Sequence, residues 1–389
     1  MIKKQKNFNK KSTMNKDLKD YLAKIKVVGV GGGGGNAISR MRDDLQLKGI
    51  DFIAINTDAQ ELEQCNVKHK IHIGKNLTRG LGTGMNPDMG RQVAEENRSE
   101  ISEIVKGADL VFITAGLGGG TGSGASPVVA EAAKESGALT IAVVTKPFTF
   151  EGSQRNRIAT EALVKLKDKV DAIIVIPNDR IFSIIKKETP LMRAFEYVDS
   201  VLLDAVQGLS EIIAIPGVIN VDFADVKTIL KDSGSALVGI GISGGQDRAI
   251  TAINQAINSP LVEISIDGAR GILFGVAGGR DMRMSEINDM AKLISDRIDS
   301  SAKVIFGAYY DRKIKQGQLK VTLIAAGFNG GAVSKSSELP SSTLFNQTAI
   351  VEERPKDDNK KKEESKKDKI NKKDTDIWEI PTFLRKGKK

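Results

Sequence analysis

The chain has 389 residues, 40% hydrophobic and 28% charged, which is an ordinary globular composition with room for two domains and tails. Its net charge of +9 sits at the ends, on nine Lys against two Asp in residues 1–26 and on fourteen Lys or Arg against ten Asp or Glu in 352–389; the body between is slightly acidic, which argues against a nucleic-acid partner. No apolar run reaches the roughly 18 residues of a membrane span, no apolar stretch follows the basic start as a secretory signal requires, and the one cysteine, Cys65, excludes an intrachain disulfide and fits a reducing cytoplasm.

In chain order, Ile25–Val30 reads as a strand, followed by a glycine loop and a helix from about Asn36. Phe52–Ile55 is a second strand. Asn86 and Pro87 form an N-cap and first helical position, opening a helix that runs to about Lys106. Leu110–Ala115 is a strand, followed by a second glycine loop and a helix from about Pro127. Leu139–Val144 and Ala172–Ile176 are further strands. Continuous apolar strands separated by helices predict a buried parallel sheet covered on both faces. A long helix spans about Leu191 to Ile213. Beyond Asp232, strands at Ala236–Ile242, Gly271–Ala277, Val304–Ala308 and Leu319–Ala326, with helices near Asp247–Ile257 and Ser285–Ile298, predict a second, smaller α/β domain. Residues 352–376 hold ten basic and nine acidic side chains and one large aliphatic, Ile370. Such a segment buries too little apolar surface to offset its ordering entropy, so a disordered linker is expected. An apolar-basic patch, Trp378 to Lys386, follows it as a candidate docking peptide.

Two segments carry chemistry. Gly29-Val30-Gly31-Gly32-Gly33-Gly34-Gly35-Asn36 contains the G-x-G-x-x-G spacing of nucleotide-binding turns, with Asp51 and Asp58 about 20 residues on. Glycine admits backbone N–H groups close to an anion, and a helix N-terminus adds a favourable dipole. The second loop, Gly116 to Gly124, has six glycines in nine residues, with Thr121 and Ser123 hydroxyls as further donors. A dinucleotide fold has no use for it, whereas two glycine loops on neighbouring strand ends suit a triphosphate. There is no G-x-x-x-x-G-K-[ST], so the chain is not a P-loop protein. The only histidines, His69 and His72, share a strand-like stretch away from both loops and make a poor base or metal pair. Asp222 and Asp225, spaced i, i+3 at a helix start, read on their own as dipole complements.

Gly118-Gly119-Gly120-Thr121-Gly122-Ser123-Gly124 resembles the tubulin signature. Gly31–Ala37, Asn56-Thr57-Asp58, Pro147–Gly152, Ile176-Pro177-Asn178-Asp179 and Asn220–Val226 resemble the FtsZ family, as does the ending Ile380-Pro381-Thr382-Phe383-Leu384-Arg385-Lys386. The resemblance covers roughly residues 24–330 and that last peptide. It implies a tubulin-like α/β fold, in which a parallel-sheet GTP-binding domain (24–214) and a smaller α/β C-terminal domain (215–330) are joined by a long central helix. A basic arm (1–23), a disordered linker (331–376) and a partner-binding peptide (377–389) complete the expected organisation. The implied function is a self-assembling GTPase of bacterial cell division in the cytoplasm at the division site. It would form a head-to-tail homopolymer, using GTP/GDP and Mg²⁺, and bind division proteins or membrane tethers through Ile380–Lys386.

By position, the resemblance assigns the GTP phosphates to Gly32, Gly33, Gly34, Gly35 and Asn36 and to Gly118, Gly119, Gly120, Thr121, Gly122, Ser123 and Gly124. Glu151 and Arg155 would contact the ribose and phosphate side, where the sequence alone reads an i, i+4 surface ion pair. Phe195 and Asp199 would contact guanine; an ionised Asp199 would accept hydrogen bonds from the N1–H and N2 edge and disfavour adenine. Asn220, Asp222 and Asp225 would enter the next subunit's nucleotide site and orient water against the γ-phosphate. Two other readings compete: a nicotinamide oxidoreductase built on Gly29-x-Gly31-x-x-Gly34, and a filament protein that binds GTP but hydrolyses it poorly. The second glycine loop opposes the former, and Asp222 with Asp225 the latter.

Overall fold

The computed structural model describes residues 23–44, 49–259, 265–311 and 313–328. The predicted basic arm up to residue 22, the linker 331–376 and the peptide 377–389 lie outside the described residues. The first half runs β1 (Ile25–Val30), α1 (Gly31–Asp44), β2 (Ile50–Asn56), α2 (Ala59–Gln64), β3 (His69–His72), α3 (Lys75–Thr78), α4 (Pro87–Glu96), α5 (Arg98–Val105), β4 (Leu110–Gly116), α6 (Gly120–Glu135), β5 (Leu139–Lys146), α7 (Ser153–Lys167) and β6 (Ala172–Pro177). The remainder is α8 (Leu191–Ala214), α9 (Phe223–Leu230), β7 (Gly234–Gly244), α10 (Arg248–Ile257), β8 (Gly271–Gly278), α11 (Met284–Ser295), β9 (Lys303–Tyr310) and β10 (Gln318–Ala326).

All ten strands join one sheet in the order β3-β2-β1-β4-β5-β6-β7-β10-β8-β9. From β3 to β7 every pairing is parallel, while β10 runs antiparallel to both β7 and β8. The central strands β4 and β5 are buried along nearly their whole length, because helices cover both faces. One apolar layer joins the sheet to α4, α5, α6 and α7, a second joins it to α1, α8 and α9, and a third joins β8 and β10 to α10 and α11. The two predicted domains thus share one sheet. Their seam is short: β6 pairs with β7 only through Ala172–Ile174 and Gly234–Ala236.

Local chemistry sets the helix starts. The side chain of Asn86 accepts from the amides of Asp88 and Met89, and Pro87 stands at the first helical position, as predicted. The helix expected to run from there to Lys106 is instead two helices. Asn97 leaves the helical region (φ −100°, ψ 14°), and its Oδ1 accepts from the amide of Gly74 on a distant turn. α6 begins at Gly120 rather than Pro127, which lies inside the helix, and α1 begins at Gly31 rather than Asn36. In both, glycines that read as loop by propensity are held helical by close packing.

The same closeness recurs beyond the seam. A Cβ on Gly239 or Gly241 would press into the backbone carbonyls of Ala256 and Ala252, so α10 lies directly on β7. Gly241→Ala should therefore cost about 1–3 kcal/mol through overpacking. A lowered urea midpoint with an unchanged slope checks this, and an unchanged midpoint would mean that α10 shifts freely.

Candidate functional site

A cavity of about 400 Å³ opens at the carboxyl ends of β1, β4 and β5, where two helices begin. This is where open α/β sheets bind ligands. Gly31, Gly32 and Gly33 of α1 form one wall; Gly119, which precedes α6, and Gly120, Thr121 and Gly122 of α6 form another. Gly31 has φ +71°, a conformation that favours glycine, and a Cβ there would stand 2.9 Å from the amide nitrogen of Gly122. The N-termini of α1 and α6 thus converge on one space, each bringing unpaired N–H groups and about half a positive charge. An anion is the ligand that such a space accepts best.

Not every glycine of the two loops faces the cavity. Gly34 is packed against Gly29 and Thr114, Gly35 faces Cys65, and Asn36 is exposed on α1. Gly118 (φ +104°) makes the turn into α6, and its amide donates to Ser123 Oγ at 2.9 Å. Gly124 touches the carbonyl of Pro87 and seats α6 against α4. Of the predicted phosphate residues, Gly32, Gly33, Gly119, Gly120, Thr121 and Gly122 line the cavity, while Gly34, Gly35, Asn36, Gly118, Ser123 and Gly124 do not.

Sequence reasoning assigned no role to several wall residues. Thr57 and Thr83 meet Thr121, with hydroxyl–hydroxyl distances of 2.7 and 3.4 Å. Asn56 Nδ2 donates to Glu61 Oε2 at 3.0 Å, and this carboxylate lies over Gly32 at the phosphate end. Asn178 also lines the cavity; it is buried, and its Oδ1 has no hydrogen-bond partner among the described residues. A buried polar atom in that state is free to accept from a ligand or a water in the cavity. Asn56, Thr57 and Asn178 are visible in the sequence only as parts of the family resemblance. Glu61 carried no signal there, because its role depends on the contact with Gly32.

Phe195 and Asp199 of α8 line a further part of the cavity wall. Phe195 stands edge-on to the buried Phe148 at 5.7 Å. Asp199 is paired with Arg40 at 2.6 Å, and its side chain is 16% exposed. Burial pushes its carboxyl up to about 6, against the pull of Arg40 and with a smaller push from Glu196. Glu151 and Arg155 line the cavity and also form the i, i+4 pair, at 2.9 Å. Glu151 Oε1 further accepts from the amide of Phe148, which fixes its orientation.

Asn220, Asp222 and Asp225 do not line this cavity. Asp222 caps α9, its Oδ1 accepting from the Asp225 amide at 2.7 Å. Asn220 and Asp222 are exposed and Asp225 is half-buried. Asp199 sits near the start of α8, and these three residues follow its end. The fifteen helical steps from Asp199 to Ala214 alone span roughly 22 Å at 1.5 Å per residue. His69 and His72 lie on the sheet-edge strand β3, and no cluster of three metal-binding side chains occurs among the described residues. No helix among these residues is long and apolar enough to cross a membrane.

The glycines divide into those that only Gly fits by packing and those that face open space. A Cβ on Gly120 would press on Thr83 Oγ1 and stand 2.7 Å from the Asn86 amide, whereas one on Gly119 meets nothing within 4 Å. Gly119→Ala should therefore leave the melting temperature unchanged and weaken nucleotide binding about tenfold, or about 1.4 kcal/mol. Gly120→Ala should lower both. Calorimetric titration beside thermal melting separates them, and full affinity in Gly119→Ala would remove that residue from the ligand's path.

Two family models match the chain: the Tubulin/FtsZ family GTPase domain over residues 24–186 and the FtsZ family C-terminal domain over 234–329. Among solved structures, an empty FtsZ dimer from M. jannaschii is 45% identical, with TM-score 0.75, over 82% of this chain and 92% of that one. A point variant of M. jannaschii FtsZ matches with the same identity, TM-score and share of this chain, over 96% of its own length. CetZ2 from Haloferax volcanii shares the fold, with 22% identity and TM-score 0.68 over 79% of this chain and 94% of that one. Identity of 45% sustained across most of both chains, together with matches to both domain models, makes this protein a member of the tubulin/FtsZ family of GTPases, on its FtsZ branch.

Proposed function

We propose that this protein is a filament-forming GTPase of cell division that hydrolyses GTP between consecutive subunits. The observation that carries this reading is the separation of the two halves of the chemistry. The cavity is lined by the glycine-rich starts of two helices and by Phe195 and Asp199, while Asn220, Asp222 and Asp225 stand beyond the far end of α8. A chain that keeps its water-orienting acids so far from its own nucleotide completes the site with a second copy. Such a contact is heterologous; repeated head to tail it does not close, and it builds a filament.

Within one subunit, the helix starts at Gly31–Gly33 and Gly119–Gly122 cradle the phosphates, Glu151 and Arg155 hold the ribose side, and Phe195 and Asp199 hold guanine. The orphaned Asn178 Oδ1 offers the base edge or the ribose a further acceptor. Mg²⁺ characteristically uses one or two carboxylates together with substrate phosphates rather than an all-protein cage. The donor set fits that pattern: Glu61, steadied by Asn56, is the carboxylate at the phosphate end and would hold the ion. The bound ion would neutralise charge that develops on the phosphates. The chain's own catalytic contribution is placement: Asn220, Asp222 and Asp225 orient a water in line with the γ-phosphate of the neighbour.

The cell-division role, the bacterial setting and a cytoplasmic location at the division site rest on the family resemblance. The relatives named above come from M. jannaschii and Haloferax volcanii. Ile380–Lys386 would recruit division proteins or a membrane tether, and nucleic acid has no part. The same reading divides the chain into a GTP-binding domain (24–214) and an activating domain (215–330).

Asp225→Ala should leave GTP affinity intact and reduce turnover at least 100-fold. Loss of binding instead would place Asp225 in its own subunit's pocket and overturn the shared site. Asp199 supplies a second expectation. Its ionised form accepts from guanine and its protonated form loses an acceptor, so bound guanine favours the ionised form. Affinity should therefore rise with pH through a midpoint near 6 and level off above 7. Titrating subunits below their assembly threshold with a fluorescent guanine nucleotide between pH 5 and 7.5 should show a several-fold change. That change should vanish in Asp199→Asn; if it persists, another group is responsible.

A further inference from the structure

α8 ends in a buried charge that the reaction scheme above leaves unexplained. Glu211 is 4% exposed, on the face of α8 that lies against the C-terminal half of the sheet. Lys320 Nζ reaches its Oε2 at 2.9 Å, the buried Tyr309 hydroxyl donates to the same oxygen at 3.2 Å, and Gln207 donates to Oε1. The sheet register explains the convergence. Lys320 on β10 and Tyr309 on β9 are both register partners of Ala277 on β8, so a small residue separates two polar ones in one row. The helix approaches closely enough to use them because glycines admit it on either side. A Cβ on Gly275 would stand 2.6 Å from Ile212, and one on Gly208 would stand 2.6 Å from Thr322.

The loop that follows α8 docks on the same strand. The amides of Val218 and Ile219 donate to the Ala308 carbonyl at 2.7 and 3.1 Å, and the Ala308 amide returns a bond to Ile219 at 3.0 Å. Gly217 lies against Ala308, and Val221 packs at 3.0 Å from where Gly307 would carry a Cβ. The Gly217 amide donates to Asn220 Oδ1 at 2.7 Å. Ala308, which anchors the loop, is thus the chain neighbour of Tyr309, which holds Glu211 one turn upstream of the loop.

We propose that Glu211, Lys320 and Tyr309 are positioning residues that lock the end of α8 to β9 and β10, so that the loop 216–222 presents Asn220 and Asp222 at a fixed height and angle to the next subunit. This rests on the shared-site reading above. A buried ion pair is a poor source of stability, because desolvation of both charges offsets their attraction. It is a good source of register, since Glu211 finds its donors in one seating of the helix only. An apolar contact would tolerate a shifted helix, and the loop would move with it.

The test compares three full-length variants, Glu211→Gln/Lys320→Met, Tyr309→Phe and Asp222→Asn, with the unaltered chain. Nucleotide affinity is measured below the assembly threshold, and turnover per subunit at saturating GTP and protein. The double variant removes both charges together, so no unpaired charge is left buried. The proposal expects it to melt cooperatively and bind nucleotide as the unaltered chain does, with turnover at least tenfold lower. Tyr309→Phe should fall severalfold with its melting temperature nearly kept. Turnover within twofold of the unaltered chain in both variants would overturn the proposal, as would a loss that merely tracks lost nucleotide affinity. Asp222→Asn separates the two claims. If it abolishes turnover while the other variants keep theirs, the fastening alone is wrong; if it keeps full turnover, the shared-site reading falls and the fastening with it.

Discussion

Contact between two stretches of backbone governs this molecule. Gly31 at the start of α1 comes within side-chain distance of Gly122 in the first turn of α6, and Gly33 approaches Gly116 at the end of β4. A methyl group at Gly31 would push α1 away from α6, and one at Gly122 would press on the Gly116 carbonyl at the end of β4. Because they meet, two sets of unpaired amides and two helix dipoles point into one cavity. The surrounding parts are fitted to that meeting. Thr57 and Thr83 bond the Thr121 hydroxyl, Glu61 lies over Gly32, and Gly124 and Gly90 let α4 press on the back of α6.

The long helix α8 then spreads the chemistry over the length of the molecule. Its first turns supply Phe195 and Asp199 to the cavity, and its last turn is pinned through Glu211 to the far end of the sheet. Asn220, Asp222 and Asp225 follow that pin. On the proposed reading, a helix with a ligand cavity at one end and water-orienting acids beyond the other carries half of a site at each end. Joining two copies would complete it, and polymerisation and hydrolysis would be one event. The short pairing of β6 with β7 and the packing of α8 together link the halves.

Much of this was legible in the residues. Apolar strand runs, the Asn86–Pro87 helix start and every strand and helix beyond Asp232 were placed within a few residues, because each follows from local spacing and capping. The glycine loops announced an anion site. Their internal division of labour was not legible. Nothing local distinguishes Gly119, which faces open space, from Gly120, which is crowded by Thr83 and Asn86, because the difference lies in residues far along the chain. For the same reason α1 and α6 begin at Gly31 and Gly120, earlier than local propensity indicates, and the break at Asn97, where its side chain accepts from the Gly74 amide, has no local signal. The Glu211–Lys320 pair spans 109 residues of sequence and depends on sheet register, which no local pattern reveals. Glu151 and Arg155 form the i, i+4 pair that local spacing predicts, and they also line the cavity.

The central claim is that the catalytic site is assembled from two subunits. The most direct measurement is GTP turnover per subunit as a function of protein concentration, with Mg²⁺ present. A shared site predicts a rate near zero at low concentration that climbs beyond a threshold and then levels off as subunits enter filaments. A rate per subunit that stays constant down to the lowest concentrations would mean that one chain carries the whole site, and would contradict the account.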